Sequence, residues 1–482
     1  METRRKKISL CLLCVLCVFV VSLSFFYRLG DRDLWSSHEA RAGMDARSVL
    51  DDGPGGVPRL YGGEPELQKP PLYYWLVAAA ARLRGALDAC AVRLPAAASA
   101  LAVVLAVAAF GRLRGRTFAG LAAAAVLAAA DYFTLLARTG RIDMPLTLCV
   151  AVPVLAFYLA RGARHSVPRT AYRVLAYASI AAAVLLKGPI GAVLPAAVTG
   201  VHLLVEGELP APWRIAAWGR LIHRLGLWWG APLVLGLTLP WFLAADAATH
   251  GEFFRVFMLR HNVERGLGGP TLKAHEWWFY ARCFPVDFLP GSLLLVPAVV
   301  LFVRRGYWRT DPAARLGLAW LLATALVLSC ASFKRADYLL PAYPGAALFI
   351  GCVMGNEERR LREAGRRAAW LGLCALPSVL CVGMAAGWLV YVERELAVEE
   401  PSHDGRAFAA EVRRRAPPPE EVVFFRTEAH AVAFNVGKPL AVLVEWKELR
   451  DRLGAAADRY VVTTPGVAKE AGAALPDVRF EP

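Results

Sequence analysis

Residues 8–27 read ISLCLLCVLCVFVVSLSFFY and residues 370–391 read WLGLCALPSVLCVGMAAGWLVY, two runs without a charged side chain. About 20 consecutive apolar residues are enough to cross a bilayer as a helix. Runs of this kind recur through the 482 residues, so that 57% of the chain is hydrophobic and only 20% is charged. Mean hydropathy is +0.42. A soluble domain carries about 25% charged and 45–50% apolar residues. This composition excludes an ordinary cytosolic enzyme, a disordered chain and a secreted disulfide scaffold, and it leaves an α-helical polytopic membrane protein.

The net charge of +15 does not point to nucleic acid. Of the 55 basic residues, nine are Lys and 46 are Arg, and most Arg sit in short clusters between apolar runs. That is the pattern of cytoplasmic loops, which face phospholipid headgroups. Cys11, Cys14 and Cys17 share a helical stripe, but with no His or carboxylate beside them they read as apolar filler, and no disulfide framework is indicated.

Arg4-Arg5-Lys6-Lys7 precedes the first run, which exceeds the 7–15 residues of a signal-peptide core and lacks a small-x-small cleavage site. It reads as an uncleaved first helix with a cytoplasmic N-terminus. About eleven spans are then expected, at 8–27, 95–111, 117–137, 144–160, 174–186, 189–205, 226–245, 286–303, 314–331, 338–354 and 369–392. This layout puts every strong basic cluster between spans on one side: around Arg114, Arg161–Arg173, Arg214–Arg224, Arg304–Arg309 and Arg359–Arg367. Two long loops, 28–94 and 246–285, fall on the other side. The expected organisation is a transmembrane domain over 1–392 and a small outer α/β domain over 393–482. The latter rests on strand-like runs at Val422–Phe425, Leu440–Val444 and Tyr460–Thr463, which alternate with helix-like Phe408–Arg415 and Trp446–Leu453.

Charge at the outer side or at span ends is costly in a membrane and marks function. The residues are His38, Glu39, Arg41, Lys69, Arg141, Asp143, Lys187, His261, Arg265, Lys273, Lys334, Arg335 and Asp337, which include four of the nine Lys. Cations of this number with a few carboxylates suit an anionic, phosphate-bearing ligand, with a carboxylate available as base.

Five parts of the chain carry a resemblance, the first of them in two stretches. Leu34-Trp35-Ser36-Ser37-His38-Glu39-Ala40-Arg41 is followed by Gln68-Lys69-Pro70-Pro71-Leu72-Tyr73-Tyr74-Trp75. Arg138-Thr139-Gly140-Arg141-Ile142-Asp143, Lys187-Gly188-Pro189, Arg260-His261-Asn262-Val263-Glu264-Arg265 and Phe333-Lys334-Arg335-Ala336-Asp337-Tyr338 come after it in order. Together they resemble the bacterial aminoarabinose-to-lipid A transferases, relatives of the protein O-mannosyltransferases. The resemblance implies a GT-C-like membrane fold and a multi-pass protein of the bacterial inner membrane with a periplasmic active site. It implies a polyprenyl-phosphate-linked sugar as donor, transferred with inversion to a lipid, glycan or protein acceptor. On that footing Arg41, Lys69, Arg265, Lys334 and Tyr338 are expected to hold the donor phosphate. Tyr74, Arg141, Lys187 and His261 are expected to line the substrate pocket.

Two departures from the family pattern matter. His38 stands where the family usually has Asp before Glu, so the base is expected to be Glu39 supported by Asp143, with His38 as the alternative. Gln68 stands where some members have a metal-ligating Glu before Lys-Pro-Pro, so no metal and no other cofactor is expected. The competing readings are a non-catalytic relative that binds a polyprenyl lipid, and a transporter or flippase. The latter lacks support from repeats or from charge at the membrane midplane.

Overall fold

A computed structural model describes residues 20–60, 63–163, 165–268, 274–416, 422–427, 429–437, 441–453 and 460–476. Seven of its helices are long and apolar enough to cross a membrane: Ala89–Leu113, Asp143–Gly162, Ser166–Lys187, Leu227–Ala248, Pro312–Ser329, Ala336–Glu363 and Arg367–Glu400. Two more spans are broken, Thr117–Ala128 with Asp131–Ala137 at 72° and Phe279–Asp287 with Gly291–Arg304 at 109°, which brings the number to nine among the described residues. Among the described residues this is fewer than the expected eleven. Ile190–Val205 is helical but has only 16 residues, short of the ~20 that a full crossing takes. The expected first span lies outside the described residues up to position 19.

By its contacts the chain divides into two units. The first comprises the described residues up to Leu29, Leu67–Tyr73 and Arg93–Glu393. The second comprises Gly30–Glu66, Tyr74–Val92 and the described residues from Arg394 onward. Most of the first long loop therefore groups with the C-terminal segment, which hydropathy alone does not reveal.

In the first unit, helix contact depends on small residues. Ala119 and Ala123 of the Thr117 helix meet Gly351 and Gly355 of the helix Tyr343–Glu363, each pair four apart. This small-xxx-small matching lets two backbones approach in an apolar medium where burial of bulk gives little drive. A Cβ on Gly351 would lie 2.4 Å from the Ala119 carbonyl oxygen. Helix ends are set by ordinary capping. Asp311 accepts from the amides of Ala313 and Ala314 ahead of Pro312, which starts the helix Pro312–Ser329.

In the second unit, Ser36 caps the helix Ser37–Asp52 by accepting from the His38 amide. That helix packs on His430–Val436, where a Cβ on Gly43 would stand 2.5 Å from the Phe434 ring. Strands β1 (Val422–Phe425), β2 (Ala441–Leu443) and β3 (Tyr460–Val462) form a parallel sheet in the order β2-β1-β3. Val423 and Phe425 bury one face against Leu449 and Leu475.

Gly351→Leu is expected to destabilise the first unit by about 1–3 kcal/mol through overpacking. The check is a lower Tm of the detergent-solubilised protein than for Gly372→Leu, a position with open space around it.

Candidate functional site

The first unit gathers its charges at the ends of three helices. Asp143 opens the helix Asp143–Gly162, where a carboxylate is favoured by the helix dipole. Lys187 closes Ser166–Lys187, and Gly188 ends that helix at φ 80, a conformation open to glycine. A Cβ on Gly188 would also lie 2.5 Å from the Phe257 ring. The Lys-Gly-Pro turn thus stops one helix, starts the next and leaves the lysine at the tip. The third component is the 3₁₀ turn Ala336–Ala342, braced by a hydrogen bond of 2.8 Å from the Trp320 indole to the Pro341 carbonyl.

These ends are joined by charge. Asp143 receives Lys187 at 2.7 Å and Arg141 at 3.3 Å. Arg141 also bonds Asp337, which Arg335 reaches from its other side at 3.0 Å. The Lys187 ammonium sits 4.0 Å from the centre of the Tyr338 ring. Lys69 is near enough to act electrostatically on Asp143. Asp143 and Asp337 are each 2% exposed, so two buried carboxylates are shared among four cations. Leaving either buried carboxylate without its cations would be strongly destabilising.

Other expected site residues of this unit stand differently. Lys334 is buried, and its ammonium donates to the carbonyls of His275 at 3.0 Å and Ala331 at 2.5 Å. It ties two loops together. Arg138, in the motif before Arg141, is likewise spent on the carbonyls of Ser24 and Tyr27 at 2.9 and 2.8 Å. His261 is half-buried in the π-helical segment Arg255–Val263. The backbone at Arg265 is helical, its side chain lies outside the described set, and Lys273 lies outside the described residues.

The second unit holds a separate cluster. Arg41 pairs with Glu66 at 2.7 Å, and Glu66 is 3% exposed. Asp45 and Tyr74 are buried beside them. Burial, then the Asp45 and Glu66 carboxylates, push the Tyr74 phenol well above its usual range, so that it remains a neutral O–H donor. Glu39 is fully buried, with Arg32 3.8 Å away. His38, one residue earlier, is half-buried. Among the described residues no three His, Cys, Asp or Glu side chains come together in a way that could hold a metal.

Sequence reasoning does not single out Asp45 or Glu66. Asp45 carries a usable signal, since it follows Arg41 by four residues on one helical face. Glu66 carries none. It is placed by an isolated antiparallel bridge between Arg59 and Pro65 and a 2.7 Å bond from its amide to the Pro58 carbonyl.

Comparison with known proteins agrees with the motifs. The family model of dolichyl-phosphate-mannose-protein mannosyltransferases matches residues 68–223, a stretch that contains Lys69, Arg141, Asp143 and Lys187. An undecaprenyl phosphate-alpha-4-amino-4-deoxy-L-arabinose arabinosyl transferase of Shewanella sediminis is 27% identical over 79% of this chain and 66% of its own length. An uncharacterised protein of Aquifex aeolicus is 28% identical over 70% of this chain and 63% of its own. The chain thus spans just under two thirds of these relatives. Among solved structures, ArnT of Cupriavidus metallidurans bound to undecaprenyl phosphate superposes with a TM-score of 0.75 at 21% identity, over 95% of this chain and 90% of that one. The archaeal oligosaccharyltransferase AglB of Archaeoglobus fulgidus, in complex with an inhibitory peptide and a dolichol-phosphate, gives a TM-score of 0.55 at 11% identity, over 90% and 64%. The chain has the polytopic GT-C fold of these enzymes and is similar in sequence to the arabinosyl transferases.

Because the Tyr74 phenol is shifted upward on folding, its contribution to stability is complete below the unfolded value near pH ~10 and is lost as pH rises beyond it. Thermal melts across pH ~9 to ~11 are expected to fall more steeply for wild type than for Tyr74→Phe. Parallel curves would contradict the burial of this hydroxyl among carboxylates.

Proposed function

We propose that the chain is a membrane glycosyltransferase that takes a sugar from a polyprenyl-phosphate donor and passes it to a lipid, glycan or protein acceptor on the periplasmic face. The observation that carries this is the four-cation, two-carboxylate cluster of the first unit. When the bond between the anomeric carbon and the phosphate oxygen breaks, the electron pair leaves with the lipid phosphate, and negative charge grows on that oxygen. Lys69, Arg141 and Lys187 are the groups to stabilise it, in a setting where fixed cations act more strongly than in water. Asp143 and Asp337 hold Arg141 and Lys187 in place before substrate arrives, so little reorganisation is needed during reaction. Tyr338 beneath Lys187 restricts the ammonium further. Arg41, Tyr74, His261 and Arg265 remain assigned to donor and pocket by their match to the motifs, whereas Lys334 is given a bracing role.

The acceptor hydroxyl attacks the anomeric carbon from the side opposite the phosphate, which inverts the configuration, and its proton passes to a base. Glu39 is fully buried and His38, one residue earlier, is half-buried, so we assign the role of base to His38 ahead of Glu39 and Asp143. No metal enters this scheme.

The test is transfer of radiolabel from a panel of polyprenyl-phosphate sugars in membranes that contain the full chain. Wild type is expected to move label from one donor. His38→Ala should lose about 10²–10⁴-fold in turnover, as for removal of a general base, and Lys69→Ala should also lose turnover. Glu39→Gln should keep the wild-type rate per folded molecule. A His38→Ala variant at full rate overturns the base assignment. Lipid binding without transfer from any donor overturns the enzymatic reading in favour of a lipid-binding relative.

A further inference from the structure

A second charged cavity, of about 460 Å³, lies in the first unit at the far end of the same helices. Asp143 opens its helix and Arg161 nearly closes it, a separation of about 27 Å along the axis at ~1.5 Å per residue. Lys187 and Arg169 stand likewise at opposite ends of Ser166–Lys187. The cavity is therefore remote from the candidate site, and nothing in the proposed transfer reaction uses it.

Its lining brings together three of the basic loop clusters seen in the sequence, through Arg114, Arg161, Arg169, Arg173 and Arg224. Two carboxylates are also present, but they are committed. Glu208 is bonded to both Arg161 and Arg224, and Glu206 accepts two bonds from Arg315 at 2.7 and 2.8 Å. The remaining three arginines are not neutralised. Arg169 donates to the Ala163 carbonyl at 2.8 Å, Arg173 donates to the Arg224 carbonyl, and Arg114 lies over the Tyr158 ring at 5.4 Å. Among the described residues none of the three has a carboxylate within ion-pair distance. Beside them His202 is 2% exposed, and neither of its ring nitrogens makes a hydrogen bond there. Glu206 comes to 3.9 Å from its Nδ1, beyond hydrogen-bond distance. A buried imidazole without hydrogen bonds is costly unless a ligand completes it.

We infer that this cavity is a binding site for a phosphate group, held by Arg114, Arg169 and Arg173 with His202 as an additional donor. Guanidinium forks match phosphate oxygens in geometry and charge, and basic pockets between membrane helices take lipid headgroups. Loose surface arginines explain neither the ordered bonds of Arg169 and Arg173 to carbonyls nor the buried histidine. The ligand is an anionic phospholipid headgroup or a small free phosphate compound. The inference stands independently of the transferase reading.

Native mass spectrometry of the full chain in detergent separates these sources, with phosphatidylglycerol in one arm and inorganic phosphate in the other. Wild type is expected to retain a phosphate-bearing adduct that Arg169→Gln/Arg173→Gln binds about 100-fold more weakly, roughly tenfold for each guanidinium removed from the phosphate. Arg309→Gln, an exposed arginine outside the cavity, should bind as wild type. An adduct in the lipid arm alone identifies the headgroup, and one also formed with inorganic phosphate identifies the free anion. Should the double variant fail to fold, Arg114→Gln, which sits at an exposed position, carries the same expectation of about tenfold. Equal binding by wild type and the cavity variants, or equal loss in Arg309→Gln, would overturn the inference.

Discussion

The pairing of Asp143 with Lys187 and Arg141 is the constraint on which the first unit's chemistry depends. A carboxylate at 2% exposure in an apolar bundle survives only when it is matched. Matching it requires the start of one helix, the end of the next and the loop before the first to converge on one point. Arg141 extends the requirement to Asp337 and so to the 3₁₀ turn that carries Tyr338. One buried charge therefore fixes three separated pieces of chain, and the positions of the cations proposed to meet a phosphate follow from it.

The membrane character is legible in the sequence because it rests on a local property, the length of apolar runs. Helices occupy ten of the eleven expected span positions among the described residues, with ends displaced by several residues. Span count is less legible. Hydropathy does not register the bends at Ala129-Ala130 and at Phe288–Pro290, nor that Ile190–Val205 stops at 16 residues. The strand and helix positions near the C-terminus coincide closely, because a short continuous run of apolar, β-forming residues such as Val422–Phe425 is again a local property. The grouping of that segment with Gly30–Glu66 and Tyr74–Val92 is non-local, and no pattern in either segment announces it.

The same distinction governs the sites. Asp143, Lys187 and Arg141 stand out in the sequence because charge at a span end is anomalous wherever it occurs. Sequence does not separate cations that face a cluster from cations that brace a loop. Lys334 and Arg138 belong to the second kind, since their donors go to backbone carbonyls. Nor does it grade neighbours such as His38 and Glu39, whose adjacent positions on a helix give one an open side and the other none. The basic loop clusters read as topology in the sequence, and that reading omits how three of them come to line one cavity around His202.

We propose that the Asp143–Lys187–Arg141 cluster receives a lipid phosphate. The most direct measurement is the affinity of the purified full chain for undecaprenyl phosphate, compared between wild type and Arg141→Gln. Wild type is expected to bind saturably, and the variant to lose about tenfold or more in affinity, the cost of one charge-assisted hydrogen bond to phosphate. Undiminished affinity in a folded Arg141→Gln protein would contradict it.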